Sequence, residues 1–116
     1  MITILRDSEI ADKLVFNMKE DDRRVGGITA VLSGDGDLVI TKLDSETELY
    51  YDGLVRAVLA FANIRGIDKA VFAIDDEHIL HRLRGFGFIT EGSKTMESIT
   101  KFFALGCEDK QEKTDN

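Results

Sequence analysis

A chain of 116 residues, 43% hydrophobic and 32% charged, has room for one ordinary globular domain and is too short for two with cores of their own. Its net charge of −7 argues against nucleic acid and anionic membranes, which need a basic surface, and favours cationic partners such as amines. No apolar run approaches the roughly 20 residues of a membrane span. Met1–Asp7 shows no signal peptide, and the single cysteine, Cys107, excludes an internal disulfide, so a cytoplasmic protein is expected.

Proline is absent, and glycine and aspartate do the punctuation. Residues 2–6 alternate as a short strand. Ser8 can cap a helix carrying Ile10, Ala11, Leu14, Val15 and Met18 at helical spacing, which ends in the polar turn 19–24. Val25–Leu32 and Leu38–Leu43 read as strands of a hairpin around Ser33-Gly34-Asp35-Gly36-Asp37. Asp35 and Asp37 belong to that turn, because their spacing does not continue as a calcium loop.

Ser45 and Glu48 match a capping box, opening a helix with Leu54, Val55, Val58, Leu59 and Ala62 on one face and Arg65-Gly66 at its end. Ala70–Ile74 is apolar throughout, as in a strand covered on both faces. Strand, helix and strand make a βαβ unit with parallel strands and a right-handed crossover. Asp75 or Asp76 caps the next helix, with Ile79, Leu80 and Leu83 inward and Gly85 and Gly87 at its end. Phe88–Thr90 and roughly Thr95–Phe103 are expected as the last two strands. Residues 1–106 then form one α/β (α+β) domain, and the charged tail 107–116 is expected to be disordered.

From Val25 to Phe103 this order resembles the GNAT-type N-acetyltransferase (acyl-CoA N-acyltransferase) fold. Its most specific piece is Asp76–Phe88, DEHILHRLRGFGF, with Asp76 where the family has an asparagine and Gly87-Phe88 as its closing Gly-Phe pair. The resemblance implies a mixed sheet, acetyl-CoA as cofactor and an amine as acceptor. The family's cofactor loop reads Gln or Arg, two residues, Gly, one residue, Gly or Ala, and presents bare backbone N–H groups to a pyrophosphate at a helix N-terminus.

The corresponding stretch here is Glu46–Gly53, in which only Gly53 stands for a motif glycine and Leu49, Tyr50 and Tyr51 are bulky. The cofactor-binding positions the resemblance implies are Leu43, Leu49, Tyr50, Tyr51, Asp52, Gly53 and Asp76, with the Leu43 backbone N–H facing the thioester carbonyl. Asp44, Glu46, Glu48 and Asp52 cluster at the pyrophosphate position with Lys42 the one cation near in sequence. The family's tyrosine general acid falls on Leu83, which has no proton to give. His78 and His81 read as surface histidines, no His and Cys pair has metal-ligand spacing, and no catalytic residue is assigned.

Two readings stay open. One is a divergent acyl-CoA-dependent N-acyltransferase acting on an unknown amine. The other is a GNAT-like binding or regulatory module without catalysis, with a protein partner or a homodimer through a strand at Phe102-Phe103. A V-shaped split between the strands ending near Leu43 and Ile74 favours the first, and a split filled by Tyr50 or Tyr51 the second.

Overall fold

The computed structural model describes residues 2–10 and 13–104, with the backbone alone over 5–10. Six strands lie side by side in chain order: β1 (Ile2–Ile10), β2 (Lys13–Glu20), β3 (Arg23–Leu32), β4 (Leu38–Ser45), β5 (Ala70–Phe72) and β6 (Thr95–Met96). Helix α1 (Leu49–Ile64) connects β4 to β5, and α2 (Glu77–Phe86) connects β5 to β6. A last helical segment, α3, spans 99–104. β4 and β5 are parallel and every other pair is antiparallel. The sheet is mixed and the class is α+β, as the sequence predicts.

The helix expected from Ser8 to Met18 is a pair of strands instead. Ile10, Leu14, Val15 and Met18 satisfy a helical period, but Leu14, Phe16 and Met18 also satisfy a period of two, and pairing decides between them. β2 lies between β1 and β3, with Leu14 opposite Ala30 and Phe16 opposite Ile28. Its buried residues are therefore Leu14, Phe16 and Met18. Ala11 lies outside the described residues. The polar turn at 19–24 is present in shortened form, with Asp21 at φ +57 between β2 and β3.

Helix α1 lies on β2, β3 and β4 and buries Tyr51, Leu54, Val55, Val58, Leu59 and Ala62. Each such side chain stabilises by roughly 1.5–3 kcal/mol for the larger aliphatics, so burial, not capping, holds the helix down. Gly26 permits the close approach: a Cβ there would stand 2.9 Å from the Asp44 carbonyl oxygen and 3.2 Å from Leu54 Cδ1. Phe16 meets Phe61 edge to face at 5.8 Å between ring centroids.

Helix α2 ends at Gly87, whose φ of +89 lies in the left-handed region that favours glycine. The Gly87 N–H donates to Arg84 and the Phe88 N–H to Leu83. Beyond it the expected pair of strands reduces to β6 alone. Phe88–Thr90 is a turn, and Phe102 and Phe103 belong to α3, not to a strand. The cause is a cap: Ser98 Oγ accepts the Lys101 N–H at 3.1 Å, and the Asp68 carboxylate accepts the Thr100 N–H at 2.8 Å and the Ser98 hydroxyl at 2.8 Å. Once started, α3 packs Phe102 against Phe88 at 5.2 Å. The tail 107–116 lies outside the described residues. Among the described residues no helix is long and apolar enough to cross a membrane.

Candidate functional site at the parting of β4 and β5

β4 and β5 pair only from Leu38 with Ala70 to Ile40 with Phe72, closed by the Ala73 N–H on the Ile40 carbonyl. β4 then runs on to Ser45 while β5 ends. The parting coincides with a bulge: Ala30 faces Ile40 and Thr29 faces Lys42, leaving Thr41 as the extra residue. A bulge bends its strand and increases local twist, which steers β4 away from β5. Because the Glu46 N–H donates to Val25, ladder alternation turns the backbone of Asp44 and Lys42 toward β3. The backbone of Leu43 and Ser45 is turned the other way, to the side β5 has left.

Tyr51, in the first turn of α1, is only 7% exposed. Burial pushes its hydroxyl pKa up, and the charges of Glu48, Asp76 and Asp44 push it further. Those three carboxylates come from the α1 start, the α2 start and the end of β4, so Tyr51 stands where the three elements converge.

The start of α1 differs from the expected capping box. Glu48 occupies the cap position with helical angles (φ −61, ψ −23), and its side chain does not cap the helix. Ser45 is the last residue of β4, opposite Gly26, and its Oγ reaches only the Thr47 N–H and carbonyl. The Tyr50 and Tyr51 N–H groups bond to the Thr47 and Glu48 carbonyls at 3.2 and 3.1 Å. The Leu49 N–H lies 3.4 Å from Thr47 Oγ1. Donors that a helix N-terminus could offer an anion are thus engaged within the chain.

The acids around this start are matched by cations that sequence proximity does not reveal. The Glu48 side chain reaches α2, where it meets His78 Nε2 and lies 3.0 Å from Arg82 Nε. The Arg82 contact is an ion pair whose angle is not that of a hydrogen bond, since the buried Nε–H has no acceptor aligned with it. Arg23 donates to both Glu46 oxygens at 2.5 and 2.8 Å, a hydrogen bond that holds the guanidinium above its usual pKa. Arg24 is raised likewise by its hydrogen bonds to Asp44, both 3.1 Å, and its Nε also reaches Asn17. Lys42 is therefore not the only cation near these acids, because the β3–β4 register delivers two arginines and α2 a third.

Of the other sequence-predicted positions, Leu43 is buried beside the parting and Asp76 caps α2, accepting the His78 and Ile79 N–H groups. Leu49 is 72% exposed and points away, Tyr50 is half-buried, and Asp52 bonds Arg56 one turn along α1. Gly53 lies inside the helix, where a Cβ would meet Met18 and Ile4 at ordinary contact distance. Leu83 is fully buried, and His78 and His81 are both exposed. Among the described residues no three His, Cys, Asp or Glu side chains are grouped to hold a metal ion.

No protein-family model matches this chain, and no curated protein matches it. Its structure is similar to that of a probable acetyltransferase from Staphylococcus epidermidis ATCC 12228, with a TM-score of 0.58 and 18% identity over 66% of this chain. This chain spans 52% of that protein's length. At such identity the likeness is one of fold, and the fold is GNAT-like.

Proposed function

We propose that this chain is a GNAT-like binding module in which the position of an acyl-CoA cofactor is taken by the protein's own side chains. The observation that carries this reading is the start of α1. There the Glu48 carboxylate holds His78 and Arg82, and Tyr51 is buried among the charges of Glu48, Asp76 and Asp44. Across Glu46–Gly53, bulky Leu49, Tyr50 and Tyr51 stand in the stretch where the family's loop has small residues, and Gly53 lies inside α1. A pyrophosphate needs free N–H donors and little negative charge, whereas this turn presents engaged amides and a carboxylate. The residues present do not fit acetyl-CoA. The acidic surface suits a cationic protein partner in the cytoplasm.

A second reading rests on the parting itself. The backbone of Leu43 faces a side that β5 has left, which is where a divergent N-acyltransferase acting on an amine would hold its acyl group. Thermal unfolding with and without millimolar acetyl-CoA, backed by calorimetric titration, separates the two. A ligand at one hundred times its dissociation constant adds roughly 2.7 kcal/mol of stability. The binding module is expected to show no shift, and a raised midpoint with saturable heats would replace it by the transferase.

A further inference from the structure

The two edges of the sheet are finished differently. β6 ends one of them with two residues. Phe72 takes the Lys94 carbonyl, which turns the backbone of Thr95 outward. There Ser93 Oγ accepts the Thr95 N–H at 3.2 Å and donates to its carbonyl at 3.5 Å, so that edge is sealed from within. β1 ends the other edge with nine residues and pairs with β2 alone among the described residues.

The groups that β1 leaves open follow from the register. Glu20 and Arg23 flank the two-residue turn Asp21-Asp22, and such a closing pair bonds to itself. Alternation then turns the Lys19 backbone toward β1 and that of Thr3, opposite it, toward β2. The N–H and C=O groups of Ile2, Ile4 and Arg6 therefore point out of the sheet edge. Exposed apolar side chains gather at the same corner. Ile2 is 40% exposed and Leu49 72%, two of the three exposed large apolar side chains among the described residues. Ile4 packs on the core beside Gly53, where a Cβ would stand 3.6 Å from its Cδ1. Ile2 shares the face of Ile4, and Leu49, one turn before Gly53, shares its side of α1. An open backbone edge rimmed with apolar side chains fits an extended strand.

The strand's own register selects a second copy. Pairing of β1 with β2 shifts between Arg6 and Ser8, which ends the regular edge and leaves Ile2–Arg6 with Ile4 at its middle. Two identical antiparallel strands related by a twofold axis set one residue against itself. With Ile4 on the axis, Ile4 meets Ile4, Thr3 lies opposite Leu5 and Ile2 opposite Arg6. No acid enters this ladder, although the chain carries a net charge of −7. With Arg6 on the axis, two arginines would face each other. The outward groups of Ile2, Ile4 and Arg6 meet their counterparts in the first register and close roughly six main-chain hydrogen bonds. The tail 105–116 is poorly suited to the role, since Leu105 is its only large apolar residue and it follows α3, which Asp68 ties to the β5–β6 side.

We propose that β1 is the interface with a second copy of this chain, paired antiparallel to its own β1 about a twofold axis at Ile4. The two six-stranded sheets then become one of twelve strands, closed because the edges left over are the short, sealed β6 strands. The proposal does not rest on the reading of the parting, which β2 and β3 separate from β1.

Sedimentation equilibrium of the full chain, with amide exchange read by NMR, tests it. The mass is expected to rise from 13.0 kDa in dilute solution toward twice that value by about 200 μM. Over the same range exchange at the Ile4 amide should slow far more than at Thr3, which already faces β2. Ile2→Lys is expected to weaken association at least tenfold with circular dichroism unchanged. Ile2→Pro, at the first residue of the strand where proline is tolerated, removes one outward donor and should weaken it likewise. A chain that stays monomeric to about 500 μM overturns the proposal. So does a dimer in which the Ile4 amide exchanges as fast as in the dilute chain, or one that both variants leave intact. Full protection of Ile4 in the dilute monomer would assign the edge to the chain's own tail and overturn it too.

Discussion

Helices α1 and α2 start close enough for Glu48 and Arg82 to meet, yet they start in different ways. α2 is capped by Asp76, whose extended backbone and short carboxylate suit two amides of its first turn. α1 has a serine and a glutamate at capping-box spacing, but its amides bond to main-chain carbonyls. The difference lies upstream. Asp76 follows a strand that has already ended, whereas Ser45 is still held in the β4 ladder opposite Gly26. A capping pattern marks a helix start only where the chain is free to turn, and here strand register took precedence. The uncapped start left Glu48 free to reach α2.

This contrast can be broken most forcefully at Tyr51. Tyr51→Ala removes a buried aromatic from the α1 start, with an expected loss of roughly 3–5 kcal/mol measured by urea unfolding. If the side chain bars the cofactor, a Tyr51→Ala/Glu48→Gln variant should gain an acetyl-CoA-dependent rise in midpoint that wild type lacks. An unchanged midpoint would show that the bar lies elsewhere.

At the caps themselves, Asp76→Ala is expected to cost about 0.5–2 kcal/mol, whereas Ser45→Ala, which holds only a local turn, should cost less. Equal losses would mean that Ser45 supports α1 after all.

Asp68 provides a third helix start to compare. Its carboxyl is held below the usual range chiefly by the Thr100 backbone N–H, then by the Thr100 and Ser98 hydroxyls. A carboxylate with a depressed folded-state pKa contributes stability above its unfolded pKa and loses it as pH falls through the folded value. Asp68→Asn should therefore lower the melting midpoint at pH 7, and its difference from wild type should shrink below about pH 4. A difference that does not vary with pH would assign the loss to shape, not charge.

The smallest effect is expected from Glu48→Gln alone. Its pairs are partly exposed, so about 0.2–1 kcal/mol should be lost at low salt and little at 1 M salt.

Much of the fold was legible because its signals are local. The hairpin at 33–37, the apolar stripe of α1, the Asp76 cap and the Gly87 end all declare themselves within a few residues. The N-terminal third was not, because Leu14, Val15 and Met18 fit either period and only the partners β1 and β3 choose between them. The end of the chain misled for a different reason. Phe102 and Phe103 favour strands, but Ser98 and Asp68, 30 residues apart, start a helix there.

The candidate site was half legible. The bulk of Leu49 through Tyr51 and the leucine at 83 could be read directly. The pairing of Arg23 with Glu46 and Arg24 with Asp44 could not, since each spans at least 20 residues and follows only once the β3–β4 register is known. Glu48 meeting His78 and Arg82 required the relative placement of two helices.

The extra residue at Thr41 sets which residues of β4 face inward. Ile40 and Leu43 are both buried, three residues apart, which an unbroken strand cannot arrange. Removing Thr41 would leave Ala30 opposite Ile40 and Thr29 opposite Lys42 in an unbroken ladder, with Leu43 two residues on from Ile40 and still on the core face. The gap therefore hangs on one inserted residue that the packing of Leu43 beneath α1 does not require. A single deletion could straighten β4 without exposing a leucine or burying an acid, so the core places no obstacle in the way of closing the gap.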